Sequence, residues 1–358
     1  MSQGSIKVFF IILLFSCASQ FPPSGGEEDI DAPEYISSSF AESKNGLYIE
    51  IIFNEKINPQ SIVGSLSIQP DIDITTKVKN NMVHIYSDDG FSPSLIHRVV
   101  ISRSIRDSHG NPMDAPVSFA LSRGGSVPES SIAGLLYNTS ADIYSISLND
   151  CVEPDSVIYL TESSSDNSFV FPNIEPGSYF VLAVSDAGAS FSDTISSSEF
   201  AFSSRCLDLA SNEQLDGIGL LISKPLSIEH EGQAGSAVSD TTIAVDSNEI
   251  DTMNYGSLTG VVVGDSGASY VVRAQSDILP TSKMVRTDTD GRYIFENMPE
   301  GFYSIYAYED NSPIISPEYF SGSMTPFSLA APFIFMGDSV EVRGGWEIGL
   351  EDVKFKAR

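Results

Sequence analysis

The chain repeats itself. SSDNSFVFPNIEPGSYFVLAVSD (164–186) returns as DTDGRYIFENMPEGFYSIYAYED (288–310) at a constant offset of 124 residues. Phe171, Asn173, Gly177, Tyr179 and Asp186 recur as Phe295, Asn297, Gly301, Tyr303 and Asp310. Self-similarity at fixed spacing marks one structural unit used twice. Aromatic and β-branched residues fill the unit between turns rich in Gly, Pro and Asn, which is strand chemistry. The repeat therefore confines the fold to an all-β array of small sandwich domains. At 358 residues the chain is too long for one core, and two to four domains are expected.

The copies span 130–223 and 256–358. Each opens with a Gly-anchored apolar strand, IAGLLYN (132–138) and LTGVVVG (258–264). In the second, Asp288 to Gly291 makes a turn, and Tyr293 and Phe295 point to one face. Pro299-Glu300-Gly301 turns again, and Tyr303, Ile305 and Ala307 return along a strand. Asn167 stands in the first copy where Gly291 stands in the second; both residue types tolerate the left-handed backbone. Tyr306 and Tyr308 face away from Tyr303. They align with Leu182 and Val184, so they are exposed, covered by a neighbouring domain or buried. Tyr319, Phe320 and Trp346 are further candidates for a binding surface. Late strands run through 317–356. Residues 224–255 are rich in Ser, Asp and Glu and read as a linker with an edge strand around Thr242–Val245.

The pattern T-D-x-x-G-x-Y-x-F-x-N-hydrophobic-P-x-G-x-Y resembles the transthyretin-like module found as the carboxypeptidase regulatory-like domain. The second copy carries it closely. In the first, Glu175-Pro176 moves the proline by one position. The resemblance implies two tandem β-sandwiches without the catalytic partner of such modules.

Residues 33–123 form a separate β domain. Leu47, Ile49, Ile51 and Phe53 alternate with Tyr48, Glu50, Ile52 and Asn54, the period of a half-buried strand. Asn58-Pro59 suits the start of one helical turn. Val83 and Ile85 mark another strand, Val99, Ile101 and Arg103 another, and Val117 to Leu121 the last. Asp107-Ser108-His109-Gly110-Asn111-Pro112 is a dense turn. EIIFNEKINPQSI (50–62) followed by VVISRSIRDSHGNPM (99–113) resembles the S-layer-type bacterial Ig-like domain, whose late turn reads D-x-x-G-N.

The N-terminus reads as a processing signal. Lys7 is followed by the apolar run Val8 to Phe15, too short for the ~20 residues of a membrane span. Leu14-Phe15-Ser16-Cys17 resembles the bacterial lipobox. The resemblance implies removal of 1–16, lipid on Cys17 and attachment to a membrane, with Ala18 permitting passage to the outer membrane. Residues 17–32 form a flexible lipidated spacer. The other two cysteines, Cys151 and Cys206, pair as a disulfide or remain as buried thiols.

The formal charge of −29 argues against nucleic acid as a partner. Motifs of chemistry fail on inspection. Gly264-Asp265-Ser266-Gly267 lacks the surroundings of a protease nucleophile. Asp288-Thr289-Asp290-Gly291 would need an oxygen ligand at Arg286 and a glutamate at Asn297 to bind calcium as an EF-hand does, so a structural turn is expected there, with weak calcium binding between carboxylate-rich loops as the alternative. The four histidines, His84, His97, His109 and His230, form no HExxH and no Cys/His cluster. The expectation is a non-catalytic envelope protein without metal or cofactor: a spacer, scaffold or adhesive module with a protein or glycan partner. The alternative is an accessory subunit of an export or surface-polysaccharide machine.

Overall fold

A computed structural model of the chain describes residues 29–44, 46–185, 198–223, 254–264, 268–276, 282–310 and 319–355. The chain divides into two compact units, residues 1–31 and 32–358. Only residues 29–31 of the first are described. Cys17, Asp186, His230, Asp265, Ser266, Gly267, the segment Thr242–Val245 and nearly all of the signal, spacer and linker lie outside the described residues. Those described contain strands and one 3-10 turn, and no helix among them is long and apolar enough to cross a membrane.

The first sandwich holds β1 (Tyr35–Ser43), β2 (Gly46–Phe53), β3 (Leu66–Gln69), β4 (Ile74–Lys79), β5 (Met82–Ser87), β6 (Ile96–Ile101) and β7 (Val117–Ser122). One sheet has the order β1-β2-β5-β4 and the other β3-β6-β7. Alternation places Ile49, Ile51, Phe53, Val83, Ile85, Val99 and Ile101 in one core. Asn58 caps the 3-10 turn Pro59–Ile62 by accepting from Gln60 N at 3.0 Å. β6 stops at Ile101, so Arg103 lies beyond the strand the sequence assigns it to.

The second sandwich holds β8 (Ser130–Tyr137), β9 (Ser145–Asp150), β10 (Val157–Glu162), β11 (Ser168–Ile174), β12 (Gly177–Val184), β13 (Phe200–Phe202), β14 (Leu207–Leu209) and β15 (Gln214–Leu221). The third holds β16 (Tyr255–Val263), β17 (Tyr270–Ser276), β18 (Ser282–Arg286), β19 (Arg292–Pro299), β20 (Gly301–Glu309), the short pair β21 (Ser323–Met324) and β22 (Phe327–Ser328), β23 (Phe333–Val342), β24 (Glu347–Gly349) and β25 (Val353–Lys354). Their sheets correspond. β11-β8-β15 matches β19-β16-β24, and β10-β9-β12-β13 matches β18-β17-β20-β23. In both copies the opening strand pairs in parallel with the closing one, β8 with β15 and β16 with β24 and β25.

The recurring residues have structural reasons. Asn173 and Asn297 take positive φ, 60° and 52°, where the register of each first hairpin strand slips against its partner. A left-handed residue is what such a bulge requires. Tyr179 and Tyr303 are buried, and their hydroxyls donate to the carbonyls of Glu175 and Pro299 at 2.9 and 2.8 Å. Those acceptors are equivalent positions, so the displaced proline leaves the turn intact. Asn167 (φ 64°) and Gly291 (φ 77°) occupy matching turns, closed by Asn167 N to Ser164 O and Gly291 N to Asp288 O, both 3.0 Å. The Asp288 carboxylate accepts from Asp290 N and Arg292 N at 2.9 and 2.8 Å and so braces that turn.

Candidate functional site at the joints of the first repeat

A strand presents alternate residues to opposite faces. Along β12, Tyr179, Val181 and Ala183 enter the core of the first repeat, while Phe180, Leu182 and Val184 point out of it. Along β20, Tyr303, Ile305 and Ala307 face inward, while Tyr306 and Tyr308 point outward. Those outward residues are nevertheless buried, because the repeats cover one another. Phe180, Leu182, Val184, Phe202 and Leu221 of the first join Val271, Tyr306, Tyr308, Tyr319 and Ala330 of the second in one core. Leu182 and Tyr306 are equivalent positions, as are Val184 and Tyr308, so the seam uses the same two sites of both copies.

Rings fill the seam. Phe180 lies 4.9 Å from Phe327 and 5.8 Å from Phe202, and Tyr137 stacks on Phe335 at 4.9 Å. A Cβ on Gly219 would stand 2.9 Å from the Phe333 ring, so that glycine lets the ring reach the β15 backbone. Backbone bonds cross the seam from Phe202 N to Ser321 O (3.0 Å) and from Ala330 N to Ser203 O (3.3 Å), and the Ser223 and Ser321 hydroxyls meet. Tyr319 donates to Ala331 O at 2.9 Å. The Tyr306 hydroxyl is buried without a partner. Burial raises both phenols above their ordinary pKa, the nearby Arg273 charge opposing it at Tyr306 and Tyr308 adding to it at Tyr319. Cys151 and Cys206 form a disulfide with Cα atoms 6.2 Å apart, and Cys151 packs against the seam.

The other joint, to the first sandwich, is polar. Arg98 donates to the Asn173 carbonyl, lies 4.9 Å over the Tyr159 ring and stands 3.9 Å from Glu175. Buried Arg103 donates to Asp142 O (2.9 Å) and Ser163 O (3.4 Å). Glu162 accepts from the Ser102 hydroxyl (2.9 Å) and Arg103 N (3.1 Å). In the second repeat the carbonyl equivalent to that of Asn173, on Asn297, accepts from Lys283 at 2.7 Å. Position 283 corresponds to Tyr159. The first repeat thus has a ring where the second has its own cation, and Arg98 of the neighbouring domain stacks on that ring and caps the carbonyl.

The described histidines are dispersed. His84 on β5 lies 3.1 Å from Glu50 and packs against Tyr48. His97 on β6, in the other sheet, is buried beside Phe40 and Phe91, with one ring nitrogen 3.3 Å from Ser92 O and Nδ1 unpartnered. Burial lowers its pKa against a smaller opposing effect of the Ser92 bond. His109 is exposed beside Asp107. Burial by itself raises the Asp107 pKa, but bonds from Asn111, Gly110 and His109 outweigh it and hold the carboxyl below its ordinary value. Asp310 pairs with Arg286 at 2.6 Å. Phe171 and Phe295 are core residues, Gly177 and Gly301 open β12 and β20, and Phe320 and Trp346 are exposed.

Residues 29–122 match the bacterial Ig-like domain family. No curated protein matches the chain. Solved structures with some likeness include the MG0-NIE-MG1 portion of alpha-2-macroglobulin from Escherichia coli, with 8% identity over 78% of this chain and 94% of that one and a TM-score of 0.24. A putative adhesin from Bacteroides ovatus shows 11% identity over 61% and 68%, with a TM-score of 0.20. A streptococcal ancillary pilin shows 9% identity over 80% and 81%, with a TM-score of 0.19.

Proposed function

We propose that this chain is a non-catalytic, lipid-anchored protein of a bacterial cell envelope. In this reading it acts as a spacer, scaffold or adhesive module, built from an Ig-like sandwich and two transthyretin-like sandwiches. The observation that carries the reading is the shared core of the two repeats, which makes a stiff body from duplicated modules. Support also comes from His84 and His97, which pack against aromatic rings in different sheets. The Cys151–Cys206 disulfide suits an exported protein. Cys17 would take the lipid, and 18–32 would separate the first sandwich from the membrane.

The test is intact mass of the membrane-extracted protein, with Cys17→Ser as control, alongside protease shaving of whole cells. Diacylglyceryl mass on Cys17 and loss of the protein on shaving are expected for a surface adhesin or spacer. An unmodified Cys17 would overturn the anchor, and protection from shaving would move the role to the periplasmic face.

A further inference from the structure

The seam opens into more than one cleft between the repeats, and one of them, of about 410 Å³, is within the range of small-molecule sites. The first repeat contributes the end of β8 and the turn before β11, and the second contributes β17, β20 and β23. Four of the polar residues that line it have one side-chain atom bonded to the protein and another left over, and of these Asn138, Asp166 and Asp338 are exposed. Gln275 Oε1 accepts from Arg273 at 3.0 Å, which leaves the Gln275 amide N–H groups. Asn138 donates to Ile222 O at 2.8 Å, which leaves its Oδ1. Asp338 Oδ1 accepts from Ser304 (2.9 Å) and Ser339 N (3.1 Å), which leaves its Oδ2. Asp166 Oδ1 accepts from the Ser168 amide (3.0 Å) and hydroxyl (2.6 Å), which leaves its Oδ2. The leftover groups have no partner among the described residues. The half-buried Tyr137–Phe335 stack forms the apolar part, and Tyr306 also lines the cleft while its hydroxyl stays buried in the seam.

We propose that this cleft binds a neutral oligosaccharide. Three acceptors and a pair of amide donors beside aromatic rings call for a ligand whose groups both donate and accept and whose C–H faces pack on rings. Sugar hydroxyls and pyranose faces do this. An amine would satisfy the carboxylates but leave the Gln275 donors unpaired. An acidic sugar is repelled by both carboxylates within a chain of charge −29. The proposal deepens the adhesive reading, and its binding test is independent of the anchor: loss of one leaves the other standing.

Calorimetric titration of the purified full chain with maltohexaose, cellohexaose, mannohexaose, xylohexaose and chitohexaose tests it. At least one should bind with millimolar or tighter Kd. Gln275→Ala and Asp338→Ala should each weaken that binding about tenfold, the loss of a good hydrogen bond set. Asp338→Asn keeps the Oδ1 acceptor and puts a donor in place of Oδ2, so it should weaken binding without lowering the melting temperature, which separates a ligand contact from a folding defect. Absence of binding across the panel would overturn the proposal. So would binding unchanged in all three variants, or spermidine binding in place of every sugar.

Discussion

The first repeat meets the second through Phe180, Leu182 and Phe202, and meets the Ig-like domain through Tyr159, Glu162 and the Asn173 carbonyl. The seam is apolar and aromatic; the joint is a set of bonds and one cation over a ring. Apolar burial is non-directional, and a face carrying Phe180, Leu182 and Val184 costs free energy when wet. The two repeats therefore depend on one another. The joint is directional and is made by side chains that tolerate water when apart, so it fixes an orientation while leaving the partners able to stand alone. Duplication explains the contrast. Equivalent outward positions of β12 and β20 cover one another, whereas the Asn173 bulge, which has Tyr159 where the second repeat has Lys283, is capped by Arg98.

The largest expected effect follows from cutting the seam. Phe180→Ala should cost about 3–5 kcal/mol, since a fully buried phenyl leaves a cavity. Chemical denaturation should show both repeats destabilised; loss confined to the first would break the comparison. Removing the Cys151–Cys206 cross-link as a double Ser variant should cost about 2–4 kcal/mol by freeing the unfolded chain between them. Its melt should shift with the repeats and leave the Ig-like transition in place. Arg98→Ala should cost about 1–3 kcal/mol, and its effect should fall on coupling between the Ig-like domain and the rest. A seam-sized loss in the repeats themselves would contradict the polar joint.

Titration separates the regions by sign. The folded-state pKa of His97 lies below the unfolded value of 6.5, so only the unfolded chain binds that proton between the two values. Stability of the Ig-like domain should be complete above about 6.5 and fall as pH drops, by at most about 1.4 kcal/mol per unit for this group. His97→Phe should remove that component of the acid dependence. Tyr306 and Tyr319 have raised values, so seam stability is complete below about 10 and is lost as pH rises through the folded values. Melting curves at pH 5 and pH 10.5 should therefore weaken different transitions, and the same transition failing at both extremes would count against the assignment.

Much of the fold was legible because β patterning and turn chemistry are local. The 124-residue offset carries five strands, β8 to β12 onto β16 to β20, within a residue or two at their starts. It then fails, because a longer connection precedes β23 than precedes β13. Asn173 and Asn297 were legible as a recurrence but not as bulges, since a register slip depends on the partner strand. The alternation of Tyr303 with Tyr306 and Tyr308 gave two faces, and their alignment with Leu182 and Val184 hinted at burial. That the covering surface is the other copy is a tertiary fact with no local signal. Arg103, placed in a strand by its spacing, leaves β6 to reach Asp142, and Arg98 carried no signal because its partners lie some 60 to 75 residues away in sequence. The cleft groups, Gln275, Asn138, Asp166 and Asp338, come from separate hairpins and meet only when the seam closes.

Hydrogen exchange of the full chain read by mass spectrometry across a denaturant series tests the seam most directly. Peptides covering β12 and β20 should lose protection at the same denaturant concentration, and those covering β2 and β6 at a different one. Loss of β12 and β20 protection at separate concentrations would mean that the repeats unfold independently, and the shared core would not be the basis of a single stiff body.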